Sequence, residues 1–458
     1  MRALTHVKAF DYGNAPSLAG LGLVEVTDAA PEFAAALVEA IRGFGGQAQL
    51  VSAPQSGLCL LTEGLSDAPA AGRHAAALNA LLSCADKGFP AFVLDRSEAD
   101  QLAKIGGCAG LCRSLRIERP GAQVFAFSLD AVNDPETCAA RVVQALGAPR
   151  TDYTLRADGG WYDLPGPDLL PPAPHAALPT APVWLVTGGG RGVTADCAVE
   201  LARRTGGTFL LLGRSGLTQW PDWLAPETDL KALRGQLARN ASRPDMPKKP
   251  AEIDRLARSL LAGAEISGTL QAIGEAGGKA LYLQADIADP AQIQRVLADA
   301  QQSEGRITGL VHGAGVLSDG RAEALQLADF EKVFAPKVGG FETVLSCLDT
   351  RALSHIGVFS SASAVFGNTG QANYAAANAW LNNVAETLSR TLPQARVKSF
   401  CWGPWQGGMV DDALARMFIE RGIGLISRPE GARIFADMLL NSPKDQVRFV
   451  VGDEWGEA

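Results

Sequence analysis

Val183-Trp184-Leu185-Val186-Thr187-Gly188-Gly189-Gly190-Arg191-Gly192-Val193-Thr194 decides how this chain folds. Val183–Val186 is a short apolar run of strand length. A glycine cluster follows at once, and a stretch of helical composition runs on from about Thr194 to Arg204. Glycines permit a tight turn and let backbone N–H groups approach an anion closely. A helix that starts at the turn adds free N–H groups and the positive end of its dipole. A lone glycine cluster is a weak signal, but this one sits between an apolar strand and a helix, where a phosphate cradle belongs.

Reading outward from the turn, apolar strands recur at Thr208–Leu212, Ala280–Gln284, Gly309–His312, Gly357–Ser360 and Val397–Cys401. Helical stretches separate them, which is the rhythm of a parallel sheet covered on both faces. The strand ends then become informative. In such sheets ligands lie across the carboxyl ends of the strands. The second strand ends in Arg214 and Ser215. A basic residue there pairs with a ribose 2′-phosphate, whereas an acid would hold a free 2′-hydroxyl, so the expected cofactor is NADPH. The plain alternative is a solvated arginine at a strand end. The third strand ends in Asp286 and Ile287, where a carboxylate can accept from an adenine amino group. The fourth ends in Gly313 and Ala314, small enough for a cofactor to lie against the backbone. With Thr187, Gly188, Gly190, Arg191, Gly192 and Val193 of the turn, these form the expected cofactor site.

Tyr374 and Asn378 are four apart, so a helix puts them on one face. Ser360 and Ser361 close a strand thirteen residues earlier, and Lys337 falls within a predicted helix at Phe330–Leu348. Reducing a carbonyl takes a hydride and a proton. A tyrosine can give the proton, but its unperturbed pKa is about 10. A nearby ammonium would favour the phenolate and bring that value down. A serine hydroxyl can hold the carbonyl oxygen as it gains charge. An asparagine can fix a water or the lysine in a proton path. Each residue alone has a plain reading: a helix aromatic, a cap, a surface amide, a solvated lysine. Their conjunction downstream of a dinucleotide turn points to Lys337, Ser361, Tyr374 and Asn378 as catalytic.

Residues 1–163 form another α/β half. Strands are expected at Leu21–Val26, Leu58–Thr62, Ala91–Leu94 and Gln123–Leu129, with helices at Pro31–Gly43, Arg73–Asp86 and Ser97–Arg113. No glycine turn follows its first strand, so this half is not expected to bind a dinucleotide. Residues 164–182 are rich in proline and read as a stiff linker. Residues 183–458 form the second half, interrupted at about 217–270 by a helical insertion with an amphipathic stretch near Ile253–Leu261.

Composition sets outer bounds. The chain has 458 residues, 47% apolar and 20% charged, with a net charge of −8. That balance suits a globular protein and argues against a nucleic-acid or anionic-membrane binder. No apolar run is long enough to span a bilayer, and no secretory signal is visible. Eight cysteines lie scattered. Cys108 and Cys112 are the nearest pair, and no metal ligands are expected to join them. Buried or free thiols in a reducing cytoplasm are the simplest account.

The second half resembles the short-chain dehydrogenase/reductases, and specifically the ketoreductase domains of polyketide synthases. Most of that superfamily has its lysine four residues after the tyrosine, where this chain has Asn378. Polyketide ketoreductases carry the lysine on the preceding helix, as at Lys337. The contexts Phe359-Ser360-Ser361 and Gly370-Gln371-Ala372-Asn373-Tyr374 are similar, as is Trp402-Gly403-Pro404-Trp405, leading to Met409 in the family's substrate lid. Cys112–Leu115 and Thr154–Gly159 resemble segments of the family's structural subdomain. The turn departs from the family at Arg191 and Thr194, and the insertion suggests the iterative polyunsaturated-fatty-acid type. The resemblance implies two Rossmann-like subdomains, a truncated structural one and a catalytic doubly wound parallel sheet. It also implies reduction of a 3-ketoacyl thioester held on the phosphopantetheine arm of an acyl carrier protein, within a multidomain synthase. Asp319, where the family's D-type enzymes carry an aspartate, and Phe366, in place of the tryptophan of the opposite class, imply a D-configured product. A free-standing short-chain alcohol dehydrogenase or ketone reductase and a non-catalytic scaffold with this fold are the rival readings.

Overall fold

The computed structural model describes residues 1–12, 18, 20–97, 101–130, 134–168, 181–243, 246–408, 412–420 and 422–453. Fifteen strands among them form one continuous sheet. In chain order they are β1 (Arg2–Phe10), β2 (Leu23–Thr27), β3 (Gln47–Val51), β4 (Leu58–Leu61), β5 (Ala91–Arg96), β6 (Val124–Leu129), β7 (Tyr153–Arg156) and β8 (Gly159–Asp168) in the first half. The second half contributes β9 (Val183–Thr187), β10 (Thr208–Gly213), β11 (Lys279–Gln284), β12 (Gly309–His312), β13 (His355–Ser361), β14 (Arg396–Trp402) and β15 (Arg448–Val451).

The strand order is β11-β10-β9-β12-β13-β14-β15-β1-β8-β7-β6-β5-β4-β2-β3. In the second half all neighbours are parallel. The winding reverses at β9, which has β10 on one side and β12 on the other, and this creates the crevice that a doubly wound sheet offers to ligands. β9 and β13 are buried along their whole length. That explains why Val183–Val186 of β9 and Ile356–Phe359 of β13 read as runs without polar alternation. The first half repeats the pattern in shortened form, with β3, β2, β4, β5, β6 and β7 parallel. β1 and β8 pair antiparallel, and β1 also meets β15, so the chain's first strand joins the two halves.

Several expectations shift in detail. β8 runs to Asp168, five residues into the stretch read as linker. The helix expected at Ser97–Arg113 is instead Cys108–Glu118, preceded by a 3-10 turn at Leu102–Lys104. Gly106 and Gly107 delay its start, because both are pinned against neighbouring groups. A Cβ at Gly106 would lie 2.4 Å from the Asp95 carboxylate, and one at Gly107 would lie 2.1 Å from the Ala376 carbonyl. The single helix expected at Phe330–Leu348 is three pieces: Leu327–Phe334, a π-helical turn at Ala335–Gly339, and Gly340–Ser346. Pro336 lacks the N–H a regular helix needs there, and the wider turn accommodates it.

The insertion holds helices Leu230–Arg239 and Pro250–Glu275. They share a small core of Leu224, Leu233, Leu237, Met246, Ile253 and Leu260. The long helix continues past that core and packs its last turns beside β11.

Candidate active site

The carboxyl ends of β9, β10, β11, β12 and β13 open into a single cleft of about 1270 Å³. Gly188, Gly190, Arg191, Gly192 and Val193 line it, as do Arg214, Ser215, Asp286, Ile287, Gly313 and Ala314. The turn is built as its glycines suggest. Gly188 and Gly192 have φ of +71° and +67°. A Cβ on Gly188 would lie 3.0 Å from the Ala314 nitrogen. Helix Gly192–Thr205 begins at the turn with no side chain capping its first amides, so they face the cleft.

Thr187 is not on the cleft wall. It is fully buried, and its Oγ1 accepts from the Ala314 N–H at 3.4 Å and lies 2.9 Å from His312 Nδ1. His312 Nε2 is 3.1 Å from the Lys337 carbonyl. A carbonyl only accepts, so Nε2 carries the proton and Nδ1 accepts from Thr187. Burial keeps this imidazole neutral, with its pKa pushed down to about 3, and Lys337 adds to the shift. The strand ends are thus tied to the backbone of Lys337.

The π-helical turn delivers Lys337 into the cleft. Its Nζ donates to the Phe359 carbonyl at 3.0 Å and stands 5.3 Å from the centre of the Tyr374 ring. Gly315 makes room for it, since a Cβ there would lie 2.9 Å from Lys337 Cε. Burial alone pushes the Lys337 ammonium down to about 7. Tyr374 sits in the first turn of helix Ala372–Thr391. The expected downward shift of its phenol is not found. Burial pushes it up to about 12, the Asp319 carboxylate adds to the rise, and a hydrogen bond with Asn378 opposes it. Lys337 donates to Phe359 and is itself destabilised as a cation, so it does little for the phenolate.

Ser361 ends β13 on the same cleft. Its Oγ accepts from the Ser363 N–H at 3.1 Å and from the Ser363 hydroxyl at 2.9 Å. Asn378 lies behind Tyr374, fully buried, and its Nδ2 donates to the Tyr374 carbonyl at 2.8 Å. Its backbone carbonyl accepts from Ser360 Oγ at 3.1 Å, while Oδ1 has no partner among the described residues. Asp319 lines the cleft and accepts from Gln371 Nε2 at 3.1 Å. Phe366 does not reach the cleft. It packs on Leu4, Cys401 and Val450 instead, because the short helix Ser363–Phe366 turns its ring toward the seam between the halves. Met409 lies outside the described residues. Trp402 and Trp405 do line the cleft, together with Leu414, Met417 and Phe418 of helix Asp412–Glu420.

Five residues of the cleft and its support escape a reading of the sequence. Ser363 orients Ser361, and its spacing of two is the available signal. Tyr282 donates to the Ser215 carbonyl at 2.8 Å and closes the floor beneath Gly190 and Gly213. Glu265, Ile266 and Thr269 of the insertion's long helix line the cleft that also holds the glycine turn, which no periodicity could reveal. Cys108 also has neighbours that its spacing does not foretell. His74 and Asp95 bring ligand-type atoms within 4.8 Å of it. Those atoms are already engaged. His74 Nε2 accepts from Gly107 N–H at 2.9 Å, and the Asp95 oxygens accept from Cys108 N–H at 2.7 Å and Ser128 Oγ at 2.6 Å. The cluster is a hydrogen-bonded piece of core.

Residues 182–407 match the KR domain family. This segment is a KR domain. The chain is 33% identical over 375 residues to a subunit of the polyunsaturated fatty acid synthase of a Thraustochytrium species, covering 77% of this chain and 13% of that protein. It is 36% identical over 177 residues to polyketide synthase GfsB of Streptomyces halstedii, covering 38% of this chain and 3% of that one. The chain thus spans a small part of these relatives. Among solved structures it is similar to an A1-type ketoreductase, with a TM-score of 0.71, 19% identity and coverage of 98% and 92% of the two chains. The ketoreductase from the first module of phoslactomycin biosynthesis in a Streptomyces gives 0.69, at 19% identity and coverage of 99% and 93%. These likenesses show that the fold extends over both halves. A KR domain is an oxidoreductase of the pyridine-nucleotide-dependent kind. Among the described residues, no helix is long and apolar enough to cross a membrane.

Proposed function

We propose that this KR domain uses NADPH to reduce a 3-ketoacyl thioester, presented on the phosphopantetheine arm of an acyl carrier protein, to the D-3-hydroxyacyl thioester. The observation that carries the reading is the convergence of Lys337, Ser361 and Tyr374 in a cleft continuous with the glycine turn. That cleft fits a dinucleotide: glycines where a Cβ would collide, uncapped helix amides, and Arg214 with no acid at the end of β10. Gly188, Gly190, Gly192 and Val193 would hold the pyrophosphate, Arg191 and Arg214 the phosphate charge, and Asp286 the adenine. When bound, the nicotinamide supplies hydride to the carbonyl carbon.

The chain's own groups manage the oxygen and the proton. Ser361 already accepts two hydrogen bonds from Ser363, so its own O–H is free to donate to the substrate oxygen. Tyr374, held near 12, carries its proton at neutral pH and gives it up as the oxygen gains negative charge. The phenolate left behind belongs to a ring whose centre lies 5.3 Å from Lys337 Nζ. The unpartnered Asn378 Oδ1 is a place for a water that returns the proton. The D-configuration rests on Asp319 at the substrate end, since Phe366 lies off the cleft.

The test is NADPH consumption with a 3-ketoacyl thioester, chiral analysis of the product, and the variant Tyr374→Phe. Loss of about 10²-fold or more in kcat with cofactor binding retained is expected, and a D-3-hydroxy product. Wild-type turnover in Tyr374→Phe would sink the mechanism. Free ketones reduced in preference to thioesters would favour a free-standing ketone reductase.

A further inference from the structure

We infer that Glu118, in the half that has no glycine turn, is a positioning residue for the substrate end of the cleft, holding in register the two loops that frame it. The inference rests on the proposed reading of that cleft.

Helix Cys108–Glu118 presents one face to the second half. Gly110, Ser114 and Glu118 recur at a spacing of four on that face, with Gly107 just before the helix. The two glycines bring the backbones together, since a Cβ on Gly110 would lie 2.4 Å from the Ala375 carbonyl. The approach sets the last turn of this helix against two loops. Ser114 Oγ accepts from the Asn368 N–H at 3.2 Å. Glu118 then uses both carboxylate oxygens. Oε1 accepts from the Gly370 N–H at 2.7 Å and Oε2 from the Ala322 N–H at 2.8 Å.

Those amides belong to different loops. One loop carries Asp319, and the other carries Asn368, Thr369 and Gln371 and leads directly into Tyr374; these four loop side chains line the cleft. The loops are joined by the Gly320 N–H donating to the Gly370 carbonyl at 2.9 Å and by Gln371 reaching Asp319 at 3.1 Å. Glu118 is 6% exposed, so no water competes strongly for its oxygens. Its two oxygens therefore tie both loops to a helix of the first half. A carboxylate suits the task because it offers two acceptors in one rigid plane, whereas an amide offers one acceptor and a donor that would face a backbone N–H.

The consequence concerns substrate orientation more than cofactor binding, because both amides that Glu118 holds lie at the substrate end. Three variants separate the roles. Glu118→Gln keeps the shape and loses one acceptor, Glu118→Ala loses both, and Glu118→Asp keeps two acceptors on a shorter stem. With a 3-ketoacyl thioester, Glu118→Gln is expected to raise KM about tenfold, leave NADPH affinity within about twofold, and erode the D:L product ratio. Hydrogen exchange provides a readout independent of turnover: the Ala322 and Gly370 amides should lose protection in Glu118→Gln and Glu118→Ala and regain part of it in Glu118→Asp. If the wild-type protein does not reduce thioesters, the proposed substrate is wrong, while the exchange pattern still decides the loop clamp. Unchanged protection at both amides in Glu118→Gln, or a wild-type KM and product ratio in that variant, would overturn the inference. Should Glu118→Ala fail to fold, Glu118→Gln and Glu118→Asp carry both measurements.

Discussion

Replacing Lys337 with methionine should make the protein more stable near neutral pH while it impairs reduction. Burial moves the Lys337 ammonium from 10.5 to about 7. At about 1.4 kcal/mol per pH unit, that displacement makes the charged form about 5 kcal/mol costlier in the folded chain than in the unfolded one. The pH dependence follows. Below pH 7 both states hold the proton, and the folded state bears the full cost. Between about 7 and 10.5 the unfolded chain holds one proton more, so stability rises with pH; above 10.5 the cost has gone. Methionine keeps most of the stem and fits beside Gly315, but the Phe359 carbonyl loses its donor, a fixed loss of about 1 kcal/mol. Lys398, also pushed to about 7, titrates in both proteins and cancels. Urea unfolding of wild type and Lys337→Met at pH 7 and pH 9.5 measures the gap. The variant's advantage is expected to shrink by about 3 kcal/mol across that interval. A gap of equal size at both pH values would refute the placement of an ionisable, desolvated amine in the cleft.

Other outcomes can be checked alongside. Arg214→Glu should weaken NADPH binding by about tenfold or more and leave NADH binding within about threefold in a fluorescence titration; unchanged NADPH affinity would return Arg214 to the solvated surface. Gly110→Val should lower unfolding stability by about 2–3 kcal/mol, because its Cβ meets backbone at 2.4 Å and neither helix can yield cheaply. His74 and His312 are both held neutral by burial, each pushed to about 3. The unfolded chain takes up those protons first, so stability should fall as pH drops from 6.5 toward 3, and His74→Gln should make the fall shallower in urea titrations.

The second half is legible in the sequence because its central strands are buried on both faces and announce themselves as apolar runs. The glycine turn can be placed for the same reason: it follows such a run directly. What stays hidden is set by distant partners. β1, a half-exposed strand of mixed polarity, is not among the strands the sequence marks, and its meaning comes from β8 about 160 residues on and β15 near the far end. The break at Pro336 is written in the sequence, yet only the packing shows that it becomes a π-helical turn. Spacing from Tyr374 puts Phe366 at the cleft, but the chain reverses at Gly367, where φ is +79°, and turns the ring away. The direction of the Tyr374 shift cannot be had from charge proximity alone, because burial outweighs the hydrogen bond with Asn378 that opposes it. The insertion's contribution to the cleft depends on how far its helix runs, which hydrophobic patterning does not fix.

The position of β1 bears on how the chain is made. The ribosome delivers this strand well ahead of β15, and at about 5–20 residues per second the interval is roughly 20–90 s. β8 arrives early, so the first half can assemble its sheet while the other side of β1 remains an open edge. An open edge invites pairing with another nascent chain. Arg2, His6 and Lys8 lie along this strand, and cationic side chains are the kind that discourage such pairing. Arg448 later settles against Asp163 and Glu386, with His6 alongside. Closure of the seam therefore joins segments made far apart in time, through ion pairs as well as through the pairing of β1 with β15.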